Sequence, residues 1–221
     1  KHATMEDFDF ARDQIIMGIE RRNLKIDFKE RMATAIHEVG HTLAAYYTDG
    51  PEHIYKVTIN PRGGSLGAVT VPFTQTYHIP KENQVTYSTK EDLMKHIYSL
   101  LGGHVAEKLF IGRNKVTTGC SNDLQRATQL AYAMVREFGM DERYGLVHKG
   151  KKELSDEENR RIDEIVQMIL KEASEKVELI LKSHETEMRK IAKRLCQHGT
   201  LTGQEIRDLI EGKEIDKVTA Q

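Results

Sequence analysis

Ala33-Thr34-Ala35-Ile36-His37-Glu38-Val39-Gly40-His41-Thr42-Leu43-Ala44-Ala45-Tyr46-Tyr47 is the stretch on which the reading of this chain turns. It holds four alanines and no Pro, which favours a helix. On a helix, residues i and i+4 share a face, so His37 and His41 present two imidazoles to one point. Glu38, between them, is placed to polarise a metal-bound water, and H-E-x-x-H on a helix is the pattern of metal-assisted hydrolysis. Zinc suits the pair: it takes nitrogen and oxygen ligands tetrahedrally, and catalytic sites use three protein ligands plus a water whose pKa falls to about 7. The plainer reading is a solvated helix that happens to carry two histidines and a glutamate.

A third ligand has to come from elsewhere. Ala44 and Tyr47 occupy the positions of the later Gly and His of the extended H-E-x-x-H-x-x-G-x-x-H pattern, so that pattern is absent. Two carboxylates are candidates. Glu107 follows Gly102-Gly103-His104, and Asp123 closes Thr117-Thr118-Gly119-Cys120-Ser121-Asn122-Asp123. Glu107 is otherwise an exposed helical carboxylate. Asp123, like Ser121 and Asn122, is otherwise a helix cap. The Cys120 thiol beside Asp123 is a further conceivable ligand.

Around these motifs the expected fold is mostly α with a small β-hairpin or edge sheet, an α+β arrangement. Residues 6–23 have helical spacing. Tyr55, Val57 and Ile59 alternate with polar residues, Asn60-Pro61-Arg62-Gly63-Gly64 supplies turn chemistry, and residues 66–71 are rich in β-branched side chains, which reads as a hairpin. Residues 72–89 lack a period and read as an exposed loop. Helix returns over residues 91–110, where the adjacent Gly102 and Gly103 cost about 1 kcal/mol each against Ala, so something should approach that helix closely. A further helix over residues 123–138 is closed by Gly139. Ser155 with Glu158, and Thr202 with Glu205, mark two helix starts in a charge-rich amphipathic C-terminal part. Whether the helix from Ser155 breaks before Gln197 is left open by the pattern.

Composition narrows the function. Thirty-three basic residues against 34 acidic ones give a formal net charge of -1, which supplies no electrostatic footprint for nucleic acid or an anionic membrane. Two cysteines are too few for a disulfide framework. No run of 18 or more apolar residues is present to span a bilayer. There is no EF-hand spacing and no G-x-x-x-x-G-K-[ST] phosphate loop, so ATP is not expected to bind here.

His37-Glu38-Val39-Gly40-His41, the stretch from Lys56 through Gly63 with Leu66-Gly67, the stretch from Leu101 through Glu107, the stretch from Thr117 through Leu124, and Met134-Val135 with Phe138-Gly139-Met140 resemble, in order and spacing, the peptidase domain of the FtsH family. These are membrane-anchored, ATP-dependent AAA zinc metalloproteases. The likeness runs over residues 6–212 and is greatest to the mitochondrial i-AAA branch.

The resemblance implies His37, His41 and Asp123 as zinc ligands, Glu38 as general base, and Glu107 as a carboxylate behind a ligating imidazole. It also implies strands at the cleft, with Val57, Ile59, Leu66, Gly67 and Val69 as substrate-binding residues on a strand edge that holds an extended substrate by backbone hydrogen bonds. One zinc per subunit, a hexameric ring and unfolded protein substrates follow from it. So do membrane attachment and ATP use through segments outside this sequence, with a mitochondrial inner, bacterial or plastid membrane as the setting. Residues 1–27 then correspond to a linker from an ATPase module, 28–150 to the zinc-binding core and 151–221 to a helical part of the same peptidase domain. Val39 and Cys120 depart from the family, where Ala is common at both. The alternative from another class is a helical oligomerisation module with a structural or inactive metal site.

Overall fold

The computed structural model describes residues 2–4, 7–8, 11–12, 14–15, 27–61, 68–70, 88–150 and 153–215. Helix α1, Phe28–Asp49, runs through its centre. The Asp27 carboxylate accepts from the Lys29 amide at 3.2 Å and starts it, and Gly50 at φ 115° stops it. Ala35, Val39, Leu43 and Ala44 are fully buried, so the middle of this helix is a core element, while Phe28 at its start is exposed.

Across α1 lies α2, Lys90–Ala106. Thr89 and Asp92 close a reciprocal capping box at its start. The expected close approach is present. A Cβ on Gly102 would stand 2.5 Å from the Gly40 carbonyl oxygen, and one on Gly40 would stand 2.4 Å from that of Gly102. The two helices therefore cross backbone to backbone, which only paired glycines allow. After Ala106 the chain widens into a π turn, Glu107–Ile111, ended by Gly112 at φ 131°. Such turns are frequent at functional sites, and the buried Glu107 opens this one.

Strands β1 (Lys56–Thr58) and β2 (Ala68–Thr70) pair antiparallel, with Val57 opposite Val69, which is the hairpin pairing read from the alternation. A third strand, β3 (Thr200–Thr202), pairs with the other edge of β1, Val57 opposite Leu201, giving the order β2-β1-β3. The remaining helices are α3 (Ser121–Arg136), α4 (Asp156–Ser183), α5 (Glu185–His198) and α6 (Gly203–Ile210). The break left open by the pattern falls at His184. Gly199 at φ 75° ends α5, and the Thr202–Glu205 capping box starts α6.

Two apolar clusters hold these elements. One gathers α1, β1, β3, α5 and α6, and the other gathers α2, α3 and the first half of α4. Val177 and Leu181 carry the second half of α4 into the first cluster, so this helix ties the two together. Among the described residues no helix is long and apolar enough to cross a membrane.

Val57 and Ile59, read as substrate-binding residues, lie inside the sheet. Both are buried, 1% and 2% exposed, within a strand segment hydrogen-bonded on both sides: β1 pairs with β2 and β3, and the Ile59 amide donates to the Gly199 carbonyl at 2.8 Å. Their side chains belong to the apolar cluster that gathers α1, β1, β3, α5 and α6. Leu66 and Gly67 lie outside the described residues. Of the segments read for the cleft, β2, which carries Val69, is the one at a sheet edge.

Candidate metal centre

The site forms where α1, α2 and the start of α3 meet. His37 and His41 lie one turn apart on α1, with ring centroids 4.6 Å apart. Asp123 sits in the first turn of α3, where the helix dipole favours a carboxylate. Its Oδ2 lies 3.4 Å from His37 Nε2 and 3.3 Å from His41 Nε2, and the two Nε2 atoms are 2.9 Å apart. Tetrahedral zinc with bonds of about 2.0–2.1 Å needs donor atoms about 3.3 Å apart. Both Asp123 separations match that spacing, and the Nε2–Nε2 pair opens by about 0.4 Å to complete one face of such a tetrahedron.

The far side of each ring explains the orientation. His37 Nδ1 is 2.8 Å from Glu107 Oε1, and His41 Nδ1 is 2.6 Å from the Ser99 carbonyl oxygen. A carbonyl only accepts, so His41 carries its proton on Nδ1 and turns a bare Nε2 lone pair inward; Glu107 favours the same tautomer in His37. Two lone pairs and a carboxylate pointed at one spot repel one another unless a cation lies between them, so the donor set fits zinc.

Glu107 is itself fixed, at 2% exposure, by the Thr117 amide to Oε2 at 2.6 Å and the Thr117 hydroxyl to Oε1 at 3.1 Å. Gly103 provides the space for the rings, since a Cβ there would lie 2.5 Å from His37 Cε1 and 2.6 Å from His41 Nε2.

The electrostatics agree. Burial alone would lower the His37 pKa, but contacts to Asp123, Cys120 and Glu107 and the charge of Glu38 push it up to about 12. Burial alone would raise Asp123, and its two histidine contacts instead hold it well below the usual carboxylate range. The carboxylates around the two rings thus favour positive charge at this spot. Glu38, 6% exposed, is raised by burial, partly offset by His41 and His37. A carboxylate with a raised pKa is a better proton acceptor.

The structure brings together His37, His41, Glu38, Asp123 and Glu107. Cys120 is also close, yet on the other side of His37: its Sγ is 3.8 Å from Nδ1 and 3.4 Å from Glu107 Oε1. It cannot share a cation with the two Nε2 atoms. The Ser99 carbonyl and the Thr117 contacts were missed in the sequence, the first because a backbone acceptor leaves no residue-type signal; Thr117 lies inside a quoted motif.

A helix-borne His-Glu-x-x-His pair completed by a carboxylate from a second helix defines a metal-dependent peptidase of the H-E-x-x-H class. Residues 24–209 match the model of peptidase family M41, and the chain belongs to that family. It is 38% identical over 96% of its length to the mouse ATP-dependent zinc metalloprotease YME1L1, of which the match covers 29%. It is 36% identical over its whole length to the ATP-dependent zinc metalloprotease FtsH of Neorickettsia risticii, covering 34% of it. To the yeast mitochondrial inner membrane i-AAA protease supercomplex subunit YME1 it is 34% identical over 97% of its length, covering 28%. The chain thus spans about a third or less of these relatives.

Proposed function

We propose that this chain is the zinc endopeptidase part of an ATP-dependent, membrane-anchored protease. The observation that carries the reading is the convergence of His37 Nε2, His41 Nε2 and Asp123 Oδ2 within 2.9–3.4 Å of one another beside the buried carboxylate of Glu38. His37, His41 and Asp123 hold the zinc. When bound, zinc lowers the pKa of a water to about 7 and polarises the scissile carbonyl. Glu38 accepts a proton from the attacking water and returns it to the leaving amine. Glu107 keeps the His37 ring in its ligating tautomer. An extended substrate pairs with the outer edge of β2 through backbone hydrogen bonds, which accommodates many sequences.

The names of the mouse and Neorickettsia relatives support ATP dependence, with ATP used by a segment outside this sequence, and the name of the yeast relative supports a mitochondrial inner membrane setting. In this reading residues 1–27 lead in from that segment, 28–150 form the peptidase core and 151–221 complete it. The substrates are unfolded proteins, and six subunits form a ring. Leu179 and Met168 on α4, 65% and 40% exposed, offer apolar surface for subunit contact.

Hydrolysis of an unfolded protein by the wild type and by Glu38→Gln at equal zinc content tests the reading. The expected result is hydrolysis by the wild type alone. Equal turnover by the two overturns it.

A further inference from the structure

Behind His37, on the face away from the zinc ligands, Cys120 Sγ, Glu107 Oε1 and His37 Nδ1 form a second set of donors within 4.8 Å of one another. The separations are 2.8 Å between Nδ1 and Oε1, 3.4 Å between Oε1 and Sγ, and 3.8 Å between Sγ and Nδ1. A tetrahedral cation with a thiolate bond of about 2.3 Å and nitrogen or oxygen bonds of about 2.0–2.1 Å needs separations of about 3.3–3.6 Å. Two edges of this triangle already lie close to that range. The third is a hydrogen bond that opens by about half an ångström when a cation of about that bond length replaces its proton.

We propose that these three residues form a second, inhibitory site for a soft divalent cation such as cadmium or excess zinc. The inference rests on the zinc reading only for its inhibitory consequence, because His37 is common to both sets. The mixed sulfur, nitrogen and oxygen donors select soft or borderline cations over magnesium and calcium. Cys120 and Glu107 are each 2% exposed, so a bound cation is shielded from competing water. Thr117, donating to Glu107 from both its amide and its hydroxyl, holds the carboxylate in place. Binding releases two protons, one from the Cys120 thiol and one from His37 Nδ1. The imidazole then bridges two cations, Nε2 toward the catalytic site and Nδ1 toward the second. The Nδ1–Glu107 bond that aims the catalytic ligand is lost, so filling this site slows hydrolysis. The other cysteine, Cys196, is buried in the α1–α5 cluster and belongs to neither donor set.

Cadmium titration of the chain loaded with one equivalent of zinc tests this, followed by the ultraviolet charge-transfer band of a cadmium–thiolate bond and by metal analysis. Wild type and Cys196→Ser should take up one further equivalent with the band and lose at least tenfold in peptide hydrolysis. Cys120→Ala should retain its zinc, show no band and resist the inhibition. A wild-type protein without the band, or a Cys120→Ala protein with the same band and uptake, overturns the proposal. The band reports on Cys120 whether or not the first equivalent of zinc is retained. Failure to retain zinc therefore counts against the catalytic reading, and absence of the band counts against the second site.

Discussion

Replacing Gly103 by Ala adds one methyl group where the zinc ligands stand. Its Cβ would lie 2.5 Å from His37 Cε1, 2.6 Å from His41 Nε2 and 2.7 Å from His37 Nδ1. Ordinary contact is about 3.5–4.0 Å, so the rings must retreat by about 1 Å. Zinc sites tolerate ligand errors of about 0.2 Å. Removing a group that merely orients a ligand costs about 10–100-fold in affinity, so displacing two ligands should cost about 100-fold or more.

The fold should survive. Overpacking costs about 1–3 kcal/mol, while Gly to Ala inside a helix returns about 0.8–1.0 kcal/mol. The metal-free protein should thus unfold within about 8 °C of the metal-free wild type. A chelator competition titration and a thermal melt read the two effects separately. Wild-type zinc affinity in Gly103→Ala would refute the placement of the rings. Gly102→Ala is the informative contrast, because its Cβ would meet the Gly40 backbone at 2.5 Å and α1 and α2 would have to separate. That variant should lose the fold along with the metal.

Glu107→Gln should weaken zinc binding by about 10–100-fold in the same titration, because an amide holds the His37 ring less firmly than a carboxylate. Glu178, bonded to Lys182 at 2.7 Å and Lys108 at 3.0 Å, ties α4 to the π turn beneath Glu107, and the two lysines pull its pKa down to about 2. Since its folded value lies below the unfolded 4.5, its contribution is complete above about pH 4.5 and fades as pH falls toward 2. Denaturant melts should show Glu178→Gln about 0.5–1 kcal/mol less stable at pH 7, with the gap narrowing below pH 4.5; a gap independent of pH would remove the ion pair as its cause.

Much of the site could be read in the sequence because its chemistry is carried by residue types at helical spacing. The i, i+4 histidines fix their own geometry, and the adjacent Gly102 and Gly103, costly in any helix, announced a close approach before its partner was known. The outcome is two partners: Gly40 for Gly102, and the imidazoles themselves for Gly103. What stayed hidden depends on tertiary contact. β3 is three residues long, and its Thr202 doubles as the cap of α6, so the cap signal masked the strand. Alternation likewise shows that Val57 and Ile59 lie on a strand with two faces, but not how many neighbours that strand has. Residue types alone left Asp123 and Glu107 both open, since both follow small, turn-like residues, and it was the family resemblance that implied Asp123; in the structure both meet His37, one at each ring nitrogen.

The central claim is that one zinc ion sits among His37, His41 and Asp123 with a coordination position left open. The most direct test is a crystal structure of the chain loaded with one equivalent of zinc, with the ion located by its anomalous scattering. The account predicts two Nε2 atoms and an Asp123 carboxylate oxygen at about 2.0–2.2 Å, with a water in the remaining position. Zinc closed by four protein ligands, or bound through Glu107 or the Cys120 sulfur in place of Asp123, would contradict it.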